Sequence, residues 1–176
     1  QDALPAHRLH AVYQDLAGME QGAVVGKLDF VVTNPGHYVA LEARHGVTRI
    51  ATQIIDPGQD SAHTVGSAVI VRTERTDLLR LEDLKGRRLV AVAPEAFGGY
   101  QVVWAELQRR GLDPEEGAVE TRFTGYPMTR VIEAVERGEA DAGAIRSCLL
   151  ERLERGGRLP QGRYRVVATH AAGGPC

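Results

Sequence analysis

The sequence predicts an α/β protein with a largely parallel sheet, and three observations carry that expectation. Short apolar runs of strand character alternate along the chain with amphipathic helical stretches, the pattern of strand–helix–strand crossovers. Two strand-to-helix turns, one at Thr33, Asn34, Pro35 and Gly36 and one running from Pro94 to Gly99, put the first free N–H groups of a helix at the top of a strand. Open α/β sheets bind ligands at such places. The third observation is an internal echo. Gly26 precedes Asp29 and an apolar run ending in Thr33 and Asn34, and Gly138 precedes Asp141 and an apolar run ending in Arg146 and Ser147. Two similar α/β lobes facing each other produce this repetition; so does the common habit of a glycine C-cap before a strand.

Taken in order, Leu9, Ala11 and Tyr13 recur at every second position and predict a strand. Asp15 is placed to cap a helix running to Val25, with Leu16, Met19 and Val24 on its buried side and Gly26 ending it. Phe30, Val31 and Val32 then read as a short buried parallel strand. Asn34, held extended by the following Pro35, is the expected N-cap of a helix over 37–45. Pro35 fits the first turn, where its missing N–H costs little. After a C-cap at Gly46, strands are expected over 47–55 and 64–73, separated by a loop over 56–63. A helical turn, Leu81–Leu84, leads to a strand over 89–93. The helix over 100–110 turns Val103, Trp104 and Leu107 inward. The remaining expectations are a strand over 121–123, helices over 128–137 and 148–155, and strands over 140–145 and 165–168, before an irregular Gly- and Pro-containing tail.

Composition narrows the function. The 176 residues suffice for one large domain or two small lobes. A net charge of −2 gives no basic surface for nucleic acid or for a membrane. No run reaches the roughly 20 apolar residues of a membrane span. No initiator Met or signal peptide is present, and the chain is expected to be an excised fragment. Cys148 and Cys176 are the two cysteines, without zinc spacing; a disulfide and two separate thiols both remain open.

No Gly-x-Ser-x-Gly, P-loop or Gly-x-Gly-x-x-Gly after a strand is found. His37 and Glu42 lack further metal ligands, so no catalytic residue, metal or cofactor is expected. Single residues are more informative. His37 either donates to an anion or packs at its helix start. Tyr38, Tyr100 and Tyr126 each lie beside a glycine or proline turn, where a tyrosine buries its ring and keeps its hydroxyl wet. Arg146 closes the apolar run 142–145, and a charge there needs either a ligand or an interlobe carboxylate.

Three stretches carry a resemblance: 29–38, 84–100 and 131–151. "Asp-Leu-Lys-Gly-Arg-Arg-Leu" before a strand and "Gly-Glu-Ala-Asp-Ala-Gly" further on are common to the type II periplasmic binding fold. The turns "Thr-Asn-Pro-Gly-His-Tyr" and "Ala-Phe-Gly-Gly-Tyr" are sharper. Over roughly residues 10–170 the chain resembles the phosphonate-binding-protein-like branch, and most of all the extracytoplasmic sensor domains of two-component histidine kinases of the tetrathionate-sensor type.

That resemblance implies a two-lobed fold whose initial strand and helix are missing from this stretch. Lobe one spans 1–70, lobe two 71–146, and 147–176 returns to lobe one and ends as a tail. Crossing segments are implied near 64–73 and 146–151. A small anionic ligand is implied between the lobes. Thr33, Asn34, His37 and Tyr38 would face Phe97, Gly98, Gly99 and Tyr100, with Tyr126 and Arg146 nearby. One departure stands out: phosphonate binders carry a hydroxyl-rich turn at the second helix, and here Glu95, Ala96, Phe97, Gly98 and Gly99 carry no hydroxyl. Periplasmic location and a membrane-tethered kinase module in the full-length chain follow from the same resemblance. So does a disulfide between Cys148 and Cys176; a homodimer is one assembly left open. The alternatives are the soluble binding protein of an ABC importer for phosphonate-like or other oxyanions, and an enzyme built on this scaffold.

Overall fold

Helices and strands alternate through most of the chain, and what differs from expectation is the direction in which some strands run. The computed structural model describes residues 7–53 and 65–170. The chain divides into two parts, Gln1–Thr33 and Asn34–Cys176.

In the first part, α1 (Leu16–Val24) starts at Asp15, whose extended backbone lets its carboxylate accept a 2.8 Å hydrogen bond from the Gly18 N–H. This is the expected cap. The buried side of the helix is centred on Gly22. The Lys27 and Leu28 N–H groups both donate to the Gly22 carbonyl, folding Leu28 over a surface where a Cβ would lie 2.7 Å from its Cδ1. Leu16 and Met19 are half-buried as expected, whereas Val24 is exposed.

The strands expected at 9–13 and 30–32 are not formed among the described residues. Leu9, Val12, Tyr13, Phe30 and Val32 are all exposed. Alternating or apolar residues supply a face, but a strand exists only where a neighbour takes up its backbone N–H and C=O groups.

The second part begins with α2 (Pro35–His45), capped by Asn34 and closed by Gly46 in the left-handed conformation at φ 68°. Residues 47–53 carry no ladder either, and 54 and 55, the end of that expected strand, lie outside the described residues together with the loop over 56–63. Five strands then form one sheet: β1 (Ser67–Arg72), β2 (Arg88–Ala91), β3 (Glu120–Phe123), β4 (Ala142–Arg146) and β5 (Tyr164–His170), in the order β3-β2-β4-β1-β5. β2 is parallel to β3 and β4, whereas β1 is antiparallel to both β4 and β5. The sheet is therefore mixed, not largely parallel. Alternation of helices and strands reveals crossovers, but it carries no record of which way a strand enters the sheet.

Both faces of the sheet are covered, which explains the unbroken apolar runs. Ile70, Val90 and Ile145 face α4 (Thr129–Glu136) and α5 (Leu149–Arg155) through Val131, Val135, Leu150 and Leu153. On the other face Val69, Val71, Leu89 and Ala144 meet Val103 and Leu107 of α3 (Val102–Arg109), beside the 3-10 turn Leu81–Leu84. Trp104, expected inward with them, is half-buried.

At the opposite ends of β2 and β4 from the helix turns, one carboxylate ties the strands together. Asp141 accepts from the Arg88 backbone N–H at 3.0 Å, from Arg88 Nε at 3.1 Å and from Arg75 Nη1 at 2.8 Å. Burial pushes its carboxyl up, but the bonds from Arg88 and Arg75 outweigh burial and hold it well below the ordinary carboxylate range. Because the folded form binds its proton less readily than the unfolded chain, this stabilisation is complete above the unfolded value of about 3.9. It fades as pH falls through the lower folded value. Asp141→Asn is expected to cost about 2 to 4 kcal/mol at neutral pH. Urea unfolding measured at pH 7 and near pH 3 should show the difference between variant and parent shrinking in acid.

Candidate functional site

The two strand-to-helix turns singled out by the sequence meet each other. Asn34 has the extended backbone expected before proline, and its Oδ1 accepts from the His37 N–H at 3.1 Å, capping α2. The same oxygen accepts from the Phe97 N–H at 3.3 Å. Phe97 opens a π-helical turn, Phe97–Gln101, that runs directly into α3. The turns approach closely because Gly36 has no side chain. A Cβ there would lie 2.8 Å from the Glu95 carbonyl and 2.1 Å from Gln101 Oε1.

The Phe97 turn is held from below by groups that sequence reasoning did not select. Ser67, at the start of β1 and 1% exposed, donates its hydroxyl to the Gly98 carbonyl at 2.7 Å. Ser147 links the ends of β1 and β4: its hydroxyl accepts from the Gly66 N–H at 3.1 Å while its own N–H donates to the Gly66 carbonyl at 2.9 Å. Both hydroxyls are committed to backbone, as buried hydroxyls must be. Gly98 and Gly99 are the residues this packing allows. A Cβ on Gly98 would lie 2.8 Å from the Gly66 carbonyl, and one on Gly99 would lie 2.7 Å from Val92 Cγ1. The signals for Ser67 and Ser147 were a lone polar residue opening one apolar strand and closing another.

Arg146 reaches the same turn. Its Cγ lies 3.5 Å from where a Gly98 Cβ would stand, and its backbone N–H donates to Met128 Sδ at 3.2 Å. It is half-buried, and burial together with the Arg152 charge lowers the pKa of its guanidinium. Tyr126, which precedes a cis peptide bond to Pro127, is partly exposed; burial, then the charge of Glu95, raises its phenol.

The other expected residues are placed less directly. His37 is buried at the first turn of α2. The Tyr38 hydroxyl bonds to Glu42 one turn along α2, which raises its pKa. Tyr100 packs edge-on against Phe123 of β3 at 4.9 Å between ring centres. Thr33 is half-buried at the end of the first part of the chain, and Cys176 lies outside the described residues. The junction thus brings together Asn34, His37, Phe97, Gly98, Gly99 and Arg146. Tyr38 and Tyr100 have their side chains engaged elsewhere. Among the described residues, no group of His, Cys, Asp or Glu is placed to hold a metal ion. A hollow of about 320 Å³ runs from Ser67 past Val103 to Arg110, and one of about 420 Å³ lies beside Glu136 and Leu159.

The family model for ABC-transporter phosphonate periplasmic substrate-binding proteins matches residues 3–172. The chain belongs to that family. Its members are binding proteins, and the fold is the type II periplasmic binding fold. PhnD1 of Prochlorococcus marinus, solved with methylphosphonate, superposes with a TM-score of 0.70 at 15% identity, covering 90% of this chain and 58% of that one. XAC2383 of Xanthomonas citri, solved with ATP, gives 0.70 at 20% identity, covering 89% and 58%. The tetrathionate sensor histidine kinase TtrS of Salmonella typhimurium is 26% identical over 174 residues, 98% of this chain and 29% of that protein. The chain thus spans less than two thirds of the length of these relatives, and under a third of TtrS.

At positions 98 and 99 the absence of side chains is a packing consequence, since the Gly66 carbonyl and Val92 occupy the space a Cβ would need. Gly98→Ala is expected to cost about 1 to 3 kcal/mol through overpacking against the Gly66 carbonyl. Ser67→Ala should cost about 1 kcal/mol through the lost bond to Gly98. Denaturant midpoints of both variants measure these losses. A Gly98→Ala midpoint equal to that of the parent would contradict the packing account.

Proposed function

We propose that this chain is the extracytoplasmic ligand-binding part of a membrane sensor histidine kinase, and that it takes a small oxyanion. The observation that carries the reading is the meeting of two helix starts at Asn34, with the arginine of β4 beside Gly98. Helix starts present N–H donors and partial positive charge, and arginine adds a fixed fork of donors suited to oxyanions. Likeness to TtrS over almost the whole chain supports the sensor assignment. A tetrathionate sensor as relative suggests a sulfur oxyanion; the methylphosphonate in PhnD1 suggests a phosphorus one. Among the described residues no helix is long and apolar enough to cross a membrane, so the tether and the kinase module belong to the rest of the full-length protein. The expected homodimer finds no support.

In this reading residues 1–70 and 71–146 are the two lobes, and 147–176 returns to the first. The crossing segments are the β1 entry and the β4 exit, which run side by side with Ser67 opposite Arg146. Closure of the lobes on the ligand is the signal passed on. Thr33, Asn34, His37, Tyr38, Phe97, Gly98, Gly99, Tyr100, Tyr126 and Arg146 are the proposed ligand set, with Asn34 and Arg146 at its centre. A disulfide between Cys148 and Cys176 is proposed to tie the tail to the domain. Alkylation and mass measurement of non-reduced protein should find no reactive thiol; two alkylated cysteines would refute the bond.

A second reading is the soluble binding protein of an ABC importer, favoured by the description of the family itself. A kinase module encoded in the same full-length chain decides for the sensor. Ligand binding is tested by thermal shift and calorimetry against tetrathionate, thiosulfate, methylphosphonate, phosphate, arsenate and small carboxylates. A true ligand at 100 times its Kd adds about 2.7 kcal/mol of stability. Arg146→Ala should weaken its binding at least tenfold, about 1.4 kcal/mol, in a folded domain. An unchanged Kd with a lowered Tm would assign Arg146 a purely structural part.

A further inference from the structure

Asn34 is one carboxamide with two unlike branches, and the structure commits only one of them. Its Oδ1 receives two backbone N–H groups, from His37 at 3.1 Å and from Phe97 at 3.3 Å. Two lone pairs are all a carbonyl oxygen offers, so this acceptor is full. Among the described residues no bond is made by Nδ2, and Asn34 itself is half-buried, not sealed away. The bonds to oxygen also fix the orientation of the amide: turning it over would set its NH₂ against two backbone donors. Nor is the oxygen easily released, because Gly36 packs against Gln101 and the Glu95 carbonyl within a space too small for a Cβ.

The two neighbouring serine hydroxyls are turned to backbone groups. Ser67 and Ser147 are both buried and bonded to backbone, and the turn itself has none. We propose that the Nδ2 amide of Asn34 is a ligand-binding donor of this site and determines its specificity, because the structure leaves Asn34 able to donate but not to accept. The group it addresses on the ligand is a hydrogen-bond acceptor, such as a deprotonated oxygen of a sulfur or phosphorus oxyanion. This rests on the oxyanion reading above and adds to it the atom that reads the ligand and the sense in which it is read.

Two substitutions separate the branches. Asn34→Asp and Asn34→Ser both keep an oxygen that caps a helix start, and both remove the NH₂. Asn34→Asp adds a negative charge and Asn34→Ser does not. Binding of tetrathionate and of methylphosphonate is measured by calorimetry for the parent and both variants, alongside amide hydrogen exchange of the ligand-free proteins. Both variants are expected to stay folded and to bind the probe recognised by the parent at least tenfold more weakly. Loss confined to Asn34→Asp would show charge repulsion alone, and retention by Asn34→Ser within twofold would overturn the proposal. The exchange arm stands without any ligand. Asn34→Ala should speed exchange at both His37 and Phe97, and an unchanged Phe97 rate would overturn the double anchoring on which the proposal depends. A parent that binds neither probe, but shows the expected exchange, counts against those two anions as ligands and leaves the anchoring of Asn34 upheld.

Discussion

The backbone donors that open two helices must be satisfied, and here both starts draw on the same oxygen. The first N–H groups of a helix have no partner within it. Asn34 meets that need for α2 through His37 and for the Phe97 turn through Phe97 itself. Much of the local sequence follows from this shared requirement. Pro35 keeps Asn34 extended, Gly36 lets the second turn approach, and Gly98 and Gly99 let that turn settle onto β1 and Val92. Ser67 then fixes the Gly98 carbonyl from the strand below. The network is cooperative in the plain sense that each bond presupposes the close approach that glycine allows.

A binding site of this kind works with main-chain donors and charge where hydroxyls are absent. The second turn has no hydroxyl in its sequence, and it has no room for side chains at 98 and 99. The two serines nearest to it stabilise backbone. In the proposed site the ligand is addressed by directional groups, the Asn34 amide and the Arg146 fork. Arg146 is half-buried with Arg152 adding to the pressure on its charge. A half-buried cation near donors favours a compact anion over a neutral polyol.

Much of this was legible in the sequence, for identifiable reasons. Asp15 and Asn34 were readable as caps because capping is a local matter of one side chain and the next three residues. Strands β1, β2 and β4 stood out because their apolar runs are buried on both faces. The segments at 9–13, 30–32 and 47–53 have equally strand-like sequences and form no ladder among the described residues. Pairing depends on a neighbour that no local pattern encodes. For the same reason the antiparallel entry of β1 was not legible. At the site, Asn34 and the glycine turn were visible because proline and glycine punctuate the chain there. Ser67 and Ser147 were not, since a lone serine beside an apolar strand looks the same whether it faces solvent or holds a carbonyl. Tyr38 and Tyr100 were legible by position, and the structure adds their neighbours, Glu42 for the one and Phe123 for the other.

The central claim is that an oxyanion binds where the start of α2 meets the Phe97 turn. Mapping amide shifts in isotope-labelled protein during titration with tetrathionate, and separately with methylphosphonate, tests it most directly. The account predicts that one of these anions shifts the backbone signals of His37 and of Phe97, Gly98 and Gly99, together with the side-chain signals of Asn34 and Arg146. Shifts confined to the hollow beside Val103 and Arg110, or to the one beside Glu136 and Leu159, would contradict it.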